Sequence, residues 1–532
     1  MPKVGTRSTE DTAAGAKRRK GQNGQSVPVK KTAAKKAAAA KKTAGARKTT
    51  TATKPAAKPA ARKAVAKKPV AEKAAARKPV AKKPAAKEPV AKKPAAKKPA
   101  AKKEPKEPKE PKQPKEPKEP SQPLPVPFLK PRVAPVHKVP EREAASGITM
   151  VFGNGDCGQL GLGDDMIERK KPFPVPQLES VKVVDLACGG LHTVALAADG
   201  QLWSWGCNDQ KALGRDGDEF VAAPVQGLEG VRIAKVACSD SASFALGEDG
   251  HVYAWGTFRS AEGIMGFSAS VLVQERPVVM NAFREPVVDL CAGVDHALAL
   301  SASGKVYAWG YGQQGQLGRL VMERRRLHGL TPERLRLHDI HRIGCGSYHS
   351  FAVSKDGVVY AWGLNNFHQL GLKPSEGGSE EIVYEPTRVS ALDGISVAKI
   401  SGGEHHTIAL AADGAVYSFG RSDSHQTGLP FSTLPSDAPG DTDASAHKKA
   451  ITVPTQITSL PPIADFACGS NHNIALSKDQ KAYTWGYGEM LQLGNAEEED
   501  VELPMLLEGK RVDDKAVLKV AAGGQHSVVL VA

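Results

Sequence analysis

From residue 147 to residue 532, short apolar runs alternate with turns and polar segments along the chain. The stretch "HTVALAADGQLWSWG" (192–206) contains an apolar run, an Asp-Gly turn and a second run rich in aromatic residues. Two such runs joined by an Asp-Gly turn predict a β-hairpin. The C-terminal part of the chain is therefore expected to consist of β-strands.

The same unit returns at a nearly constant spacing. A glycine follows the aromatic residue seven times, in steps of 53, 50, 54, 53, 57 and 66 residues. A front half, Gly-x-x-His-x-x-Ala-Leu in its fullest form, also occurs seven times. Its anchor positions are His192, Ala242, His296, His349, His406, His472 and His526. Units repeated at a fixed period bury their apolar faces against their neighbours, so the repeat decides the fold.

A period of about fifty residues leaves room for four strands, and four-stranded blades around a channel form a β-propeller. The first copy contains only the back half, "GITMVFG" from Gly147, and the last contains only the front half, "AAGGQHSVVLVA" up to Ala532. Each supplies what the other lacks. We therefore predict an all-β, seven-bladed propeller over residues 147–532, closed by pairing of its N-terminal and C-terminal strands.

Composition divides the chain near residue 146. Residues 1–146 carry 41 basic and 11 acidic residues, a net charge of +30, whereas the rest carry 32 and 46, a net charge of −14. A Lys/Ala/Pro-rich segment with almost no aromatic residues cannot bury enough surface to fold, so residues 1–146 are predicted to form a disordered basic tail. Such a tail is either a solvated linker or a DNA-binding and chromatin-binding arm. Its cluster Lys17, Arg18, Arg19 and Lys20 is the predicted nuclear import signal.

Catalytic and metal-binding motifs are missing from the sequence. There is no phosphate-binding loop, no Ser/His/Asp spacing and no zinc pattern, so we expect no enzyme chemistry, no cofactor and no metal. The seven cysteines are an odd number without disulfide spacing. Without a signal peptide or an apolar run of membrane-spanning length, we expect an intracellular protein with no membrane contact.

The repeated histidine is expected to be structural, because nearly every repeat needs it. The two positions before it vary, which predicts a binding face at one end of the ring. Asp240, Asp295, Glu404 and His405 place acidic and hydrogen-bonding groups there, suited to a basic protein partner. The alternative is an ordinary solvated loop at each position.

The motifs "GNGDCGQLGLGDD", "GQQGQLGR" and "NNFHQLGL", with the seven Gly-x-x-His and Trp-Gly pairs, resemble the regulator of chromosome condensation family. The segments "GCNDQKALGRD" and "ISGGEHHTIAL" are similar to its exchange factor for the small GTPase Ran. The resemblance implies a chromatin-bound guanine-nucleotide exchange factor that generates Ran-GTP for nucleocytoplasmic transport and mitosis. It also implies a nuclear location and import receptors as partners. The GTPase-binding residues it implies are Asp156, Asp240, Asp295, Arg319, His405 and His526.

The segment "FRSAEGIM" resembles the wedge hairpin that this family presses against the nucleotide site of the GTPase. The implied wedge residues are Phe258, Arg259, Ser260, Ala261, Glu262, Gly263, Ile264 and Met265. The tip departs from the amide-rich pattern of the family, which puts its contacts in doubt. Ala242 departs too, since the family has histidine there, which puts the structural hydrogen bond of that repeat in doubt.

Three consecutive arginines, Arg324, Arg325 and Arg326, stand in "LGRLVMERRRLHGL" within an otherwise acidic region. In the family, an arginine-bearing loop at this place is associated with the acidic patch of the nucleosome core histones, and guanidinium groups pair bidentately with carboxylates. A solvated run of charges is the alternative. We expect this loop to point away from the GTPase, and the tail to add contacts to DNA phosphates.

Two other functions stay open at this stage. A propeller that only scaffolds or reads chromatin would bind nucleosomes without exchanging nucleotide. A protein of the plant ultraviolet-photoreceptor type would need tryptophans clustered at a dimer face, and five of the six tryptophans here occupy the Trp-Gly position. The long stretch 428–454 explains the 66-residue step and is predicted to be a surface loop.

Overall fold

The computed structural model describes residues 125–128, 137–142, 145–430, 432 and 450–532. The predicted import signal Lys17–Lys20 and most of the basic tail lie outside these residues, as does most of the stretch 428–454.

Thirty strands occur within the described residues. In the first half they are β1 Ile148–Asn154, β2 Glu168–Pro174, β3 Val183–Cys188, β4 His192–Ala197, β5 Leu202–Gly206, β6 Ala223–Pro224, β7 Ile233–Cys238, β8 Ala242–Gly247, β9 Val252–Gly256, β10 Phe258–Ser260, β11 Gly263–Gly266, β12 Gln274–Val279, β13 Val287–Ala292, β14 His296–Ser301 and β15 Val306–Gly310. In the second half they are β16 Glu333–Arg334, β17 Ile340–Cys345, β18 His349–Ser354, β19 Val359–Leu364, β20 Ile382–Arg388, β21 Val397–Gly402, β22 His406–Ala411, β23 Val416–Arg421, β24 Ala450–Gln456, β25 Ile463–Cys468, β26 His472–Ser477, β27 Ala482–Gly486, β28 Val501–Leu506, β29 Val517–Ala522 and β30 His526–Val531. Short 3₁₀ helices lie at Pro176–Leu178, Glu323–Leu330, Pro374–Glu376 and Ser390–Leu392.

These strands form seven four-stranded antiparallel sheets, one for each predicted blade, among the residues that the structure describes. The closing sheet has the order β2-β1-β30-β29, in which Ile148 pairs with Val531 and Gly153 pairs with His526. The predicted seven-bladed propeller and its closure by the terminal strands are confirmed. Pairing both ends of the repeat region in one sheet leaves no blade incomplete.

The repeated aromatic position forms the core between blades. Its seven residues are at most 1% exposed: Phe152, Trp205, Trp255, Trp309, Trp362, Phe419 and Trp485. The Trp205 indole N–H donates to the Gln159 carbonyl at 3.0 Å, which satisfies the one polar group of a buried ring. Gly161 lies against this ring with φ of 67°, where an added Cβ would come within 2.8 Å of the Trp205 ring. The glycine of the "QLG" motif is therefore required by the tryptophan of the next blade.

Residues 137–142, which we call the strap, lie across the end of the ring that carries the Asp-Gly turns. The His137 backbone N–H donates to the Ala302 carbonyl at 3.0 Å, and its Nε2–H donates to the Ile340 carbonyl at 3.1 Å. Arg142 pairs with Glu248 at 2.9 Å. The expectation of a tail up to residue 146 is therefore wrong for the strap, because these polar groups bond the turns of several blades.

One hairpin stands outside the blades. Strands β10 and β11 form a two-stranded sheet of their own, inserted between β9 and β12. Their register pairs Arg259 with Ile264 and Ser260 with Gly263, which leaves Ala261 and Glu262 at the tip. The segment predicted to form a wedge is thus a separate hairpin rather than part of a blade.

No helix in the described ranges has the length and apolar character needed to cross a membrane.

Candidate functional site

The loops that precede the repeated histidines meet around one mouth of the channel, and backbone hydrogen bonds join neighbouring loops. The N–H to carbonyl pairs are Asp240 to Val294 (3.0 Å), Val294 to Ser347 (3.1 Å), Ser347 to Gly403 (2.9 Å), Glu404 to Ser470 (2.8 Å), Ser470 to Gly523 (3.3 Å) and Gly524 to Gly190 (2.8 Å). The seventh link, from the loop of Gly190 to the loop of Asp240, is not a bond between backbone groups. Here the Gly190 N–H donates to the Asp240 carboxylate. The variable positions therefore sit on a rigid ring of backbone, which we call the loop ring.

Acidic side chains surround this mouth. Burial and the negative charges of Glu404, Asp240 and Asp295 together raise the pKa of Tyr348 to about 12, so these four side chains lie close together. Solvent reaches Asp240 from the open mouth, although protein atoms enclose it on the other sides. The predicted acidic binding face is thus assembled by three different blades.

Two carboxyl groups of this face have raised pKa values. Burial, together with the negative charge of the nearby Asp295, raises the pKa of Asp240 to about 7. Burial raises the pKa of Asp295 to about 6, opposed by the N–H and the charge of Arg259. A docked cation would favour the ionised form of both groups. The mouth is therefore prepared to receive positive charge.

Asp156, His405 and Arg319 occupy different surroundings. Asp156 is exposed. The His405 side chain is 14% exposed, and its ring packs on Phe367 with centroids 4.8 Å apart. Burial lowers the pKa of His405, so its neutral ring offers hydrogen bonds rather than charge. Arg319 is largely covered and lies 3.2 Å from Glu333.

His526 is not on the binding face. It belongs to six fully buried histidines, each of which bonds through Nε2 to the residue after the histidine position of the next blade. The pairs are His192–Ser243, His296–Ser350, His349–Thr407, His406–Asn473, His472–Ser527 and His526–Thr193. The structural role predicted for the repeated histidine agrees with this placement. The expectation that His526 contacts a GTPase is wrong, because its side chain is 0% exposed.

The doubt about Ala242 is resolved by its neighbour. Ala297 occupies the position where the next blade would supply a hydroxyl or amide partner, and both alanines are at most 1% exposed. Donor and acceptor are therefore missing together, so no buried polar group is left without a bond.

The wedge hairpin is fixed at its base. Phe258 is 1% exposed and packs against Phe244 with ring centroids 6.1 Å apart. The Arg259 N–H donates to Asp295 Oδ1 at 2.6 Å, while Ile264 on the other strand is 45% exposed. Asp295 thus both faces the mouth and holds the wedge. Nothing in the sequence could have revealed this second role, because the two residues belong to different repeats.

The arginine run lies beside the wedge. Arg326 Nη1 is 2.8 Å from Glu262 at the wedge tip and 3.0 Å from Glu323. The expectation that this loop points away from the predicted GTPase-binding face is therefore wrong for Arg326, which pairs with the hairpin predicted to form the wedge. Glu262 and Arg326 are 64 positions apart, and no sequence motif links them.

No group of three or more histidine, cysteine, aspartate or glutamate side chains able to hold a metal occurs in the described part of the chain.

The fold and the site define a seven-bladed propeller with an acidic loop ring at one mouth and a separate hairpin beside it. The family follows from sequence comparison, since residues 148–529 match the model of the RCC1-like domain. The chain belongs to the RCC1-like domain family.

Named relatives extend this comparison. The chain is 36% identical to the regulator of chromosome condensation of Xenopus laevis, over 76% of this chain and 94% of the relative. It is also 36% identical to the guanine nucleotide exchange factor SRM1 of Saccharomyces cerevisiae, over 71% and 86% of the two chains.

Two solved structures of yeast proteins are also similar to this chain in sequence and in fold. The crystal structure of Prp20p from S. cerevisiae, studied together with its binding to Gsp1p and histones, is 37% identical and superposes with a TM-score of 0.69, covering 74% of this chain and 92% of that one. Yeast RCC1 (Prp20) bound to Kap60 is 35% identical, with a TM-score of 0.71 and coverage of 76% and 94%.

Proposed function

We propose that this protein is a chromatin-bound guanine-nucleotide exchange factor for the small GTPase Ran. The observation that carries the proposal is the anchored wedge hairpin beside an acidic loop ring, in a chain 36% identical to a yeast exchange factor over most of its length. The family alone would support only the fold, since function resides in the site.

Exchange in this scheme uses binding energy alone. A protein that binds the nucleotide-free GTPase more tightly than the loaded form weakens nucleotide binding by the same factor. To raise the rate of nucleotide release about 10⁵-fold, the activation free energy of nucleotide dissociation must fall by about 7 kcal/mol. We therefore assign no covalent step to any residue, and the nucleotide pool sets the direction of exchange.

The proposal divides the work between two parts of one face. Asp156, Asp240, Asp295, Arg319 and His405 hold the GTPase. Carboxylates with raised pKa gain most from a docked cation, because pairing offsets the cost of their enclosure.

The wedge hairpin, residues 258–265, presses on the nucleotide site. Its buried base gives it a fixed position, and its exposed Ile264 and tip residues are free to contact the GTPase. Nucleotide release then follows from competition between the wedge and the groups that bind the phosphates.

A second surface would bind chromatin. Arg324 and Arg325 are exposed on the 3₁₀ helix Glu323–Leu330, where guanidinium groups can pair with the acidic patch of core histones. The basic tail would add DNA contacts, and Lys17–Lys20 would be read by import receptors, in keeping with a nuclear protein. Prp20p, which is similar to this chain, was studied with histones, and its complex with Kap60 is known.

Release of fluorescent GDP from Ran, with and without catalytic amounts of the full chain, tests the proposal. The expected result is release accelerated by orders of magnitude for Ran and unchanged for an unrelated small GTPase used as control. Nucleosome binding without any acceleration would instead support the chromatin scaffold. The photoreceptor alternative is disfavoured, because the five tryptophans of the Trp-Gly position are at most 1% exposed and cannot meet at a dimer face.

A further inference from the structure

The opposite end of the channel contains a cavity of about 560 Å³ between the inner strands and the strap. The third residue of every inner strand is charged and lines this cavity. In chain order these residues are Asp185, Lys235, Asp289, Arg342, Lys399, Asp465 and Lys519. A register shift precedes each of them in the pairing with the next strand. Such bulges re-aim a side chain, here toward the channel.

A ring of seven positions cannot alternate in sign all the way round. Here alternation fails between Arg342 and Lys399, which are neighbouring cations. Lys235 is paired with Asp289, and Lys399 Nζ lies 2.6 Å from Asp465. The negative charge of Asp185 interacts with Lys519 and Lys235. Arg342 is therefore the cation of this ring that has no carboxylate partner among the described residues.

The guanidinium group of Arg342 uses only part of its hydrogen-bond donors within the described residues. Its Nε–H donates to the Ala398 carbonyl at 3.1 Å, and in the described part of the chain no carboxylate lies within ion-pair distance of its guanidinium. Arg342 is exposed and lines the cavity, and the four N–H groups of its two terminal nitrogens have no hydrogen-bond partner among the described residues. Arginine in this state suits a tetrahedral oxyanion, which accepts two parallel hydrogen bonds.

Three further basic residues lie near Arg342. The pKa of His137 is lowered by burial and by the positive charges of Lys355, His341 and Arg342, so these four side chains are close together. Lys138 of the strap also lines the cavity. The acidic groups that line it are Glu141 of the strap and the three ring aspartates, of which Asp289 and Asp465 are already paired with lysines.

We infer that the channel beneath the strap is a binding site for a small phosphate-bearing anion, held by Arg342 with His341 and the strap residue His137 beside it. The cavity of about 560 Å³ admits a phosphate or diphosphate group with its water but is too narrow for a macromolecule. The site lies at the end of the ring away from the loop ring and does not depend on the proposed exchange activity.

Thermal unfolding of the full chain at constant ionic strength, with inorganic phosphate, pyrophosphate or chloride, tests this inference. Both phosphates should raise the unfolding temperature with concentration, and chloride should not. Arg342→Gln should weaken the apparent phosphate affinity about tenfold, which corresponds to about 1.4 kcal/mol. Arg334→Gln is the matched control, because Arg334 is exposed on β16 and does not line the cavity.

The basic tail is identical in every variant, so its own phosphate binding cancels in the comparison. Arg342→Lys keeps the charge without the fork and should give an intermediate affinity, which also covers the case in which Arg342→Gln does not fold. GDP release should be unchanged in both variants. Equal phosphate-dependent shifts in the wild type, Arg342→Gln and Arg342→Lys would overturn the inference, as would a wild type that phosphate does not stabilise.

Discussion

Five of the six buried histidines donate to a side chain that itself donates a further hydrogen bond to a backbone carbonyl. His192 Nε2–H donates to Ser243 Oγ, because the Ser243 hydroxyl itself donates to the Ala212 carbonyl at 2.8 Å. The Trp255 indole N–H donates to the same carbonyl. Three repeated residue types, His, Ser or Thr, and Trp, are therefore parts of one polar connection between neighbouring blades.

The His192–Ser243 pair should behave as a unit. His192→Ala alone leaves the Ser243 hydroxyl without one partner and opens a cavity, so we expect a loss of about 2 to 4 kcal/mol in the free energy of unfolding. The double variant His192→Ala with Ser243→Ala recreates the Ala242–Ala297 arrangement of the next blade pair. A double-mutant cycle by chemical unfolding should give a coupling of about 1 kcal/mol. Additive losses would mean that the histidine acts by volume alone.

Asp295 combines a charge with a structural bond, and two substitutions should separate them. Asp295→Asn keeps an acceptor for the Arg259 N–H but removes the charge, so KM for Ran should rise about 30-fold while kcat stays near its normal value. Asp295→Ala loses both and should lower kcat as well. Steady-state GDP exchange measures both constants, and identical effects of the two variants would contradict the anchoring role.

The raised pKa of Asp295 also predicts a pH dependence. Its carboxyl titrates near pH 6 in the free protein, so it becomes neutral as the pH falls through that value. A cation on the GTPase is then held less tightly, and KM should rise from pH 7 to pH 5.5. In Asp295→Asn the rise in KM should be smaller, because only Asp240, with a pKa of about 7, still titrates on this face.

At the scale of elements, the wedge and the arginine loop form one joined region. Arg326 bonds Glu262 on the wedge, whereas Arg324 and Arg325 have no bond to it. Arg324→Ala with Arg325→Ala should therefore weaken nucleosome binding and leave GDP release from Ran unchanged.

Arg326→Ala should act on both surfaces, because it also frees the wedge tip. Removing this exposed pair changes the position of the tip rather than its stability, so we expect a change in exchange rate of about two- to fivefold. Fluorescence anisotropy with labelled nucleosomes and GDP release measure the two effects. An Arg326→Ala variant with normal exchange would show that the ion pair has no influence on the wedge.

How much the sequence could predict depends on whether a feature repeats. The blades, their closure and the buried histidines were predictable, because each copy repeats the same packing requirement. An atypical residue in one copy, such as Ala242, does not hide a pattern that the other copies keep. The strap was not, since its bonds from His137 and Arg142 go to turns of several blades and have no local period. The contact of Glu262 with Arg326 and the unpaired Arg342 equally depend on which blades become neighbours.

At the scale of the whole molecule, the strap determines where a truncated fragment of the propeller should begin. A fragment 125–532 keeps the bonds of His137 and Arg142, whereas 147–532 loses them. We expect both to fold, with the longer fragment unfolding a few degrees higher in a thermal scan. Equal unfolding temperatures would show that the strap contributes no stability.

The tail should govern binding to DNA rather than exchange. Residues 1–146 of the full chain carry a net charge of +30. The slope of log affinity for DNA against log salt concentration follows the number of DNA phosphates that the protein neutralises. Fragment 125–532 should therefore bind DNA more weakly and with a smaller salt slope than the full chain, while its exchange activity is retained. Equal slopes would exclude the tail as the DNA-binding arm.

The central claim is that a ring holds the GTPase while the wedge drives out its nucleotide, and stopped-flow release of labelled GDP from Ran tests it most directly. The wild type is compared, over a range of exchange-factor concentrations, with a variant carrying glycine at Ser260, Ala261 and Glu262. The account predicts that the variant still saturates at a similar concentration, because the loop ring is intact, but that its maximal release rate is strongly reduced. A variant with a normal maximal rate would contradict it.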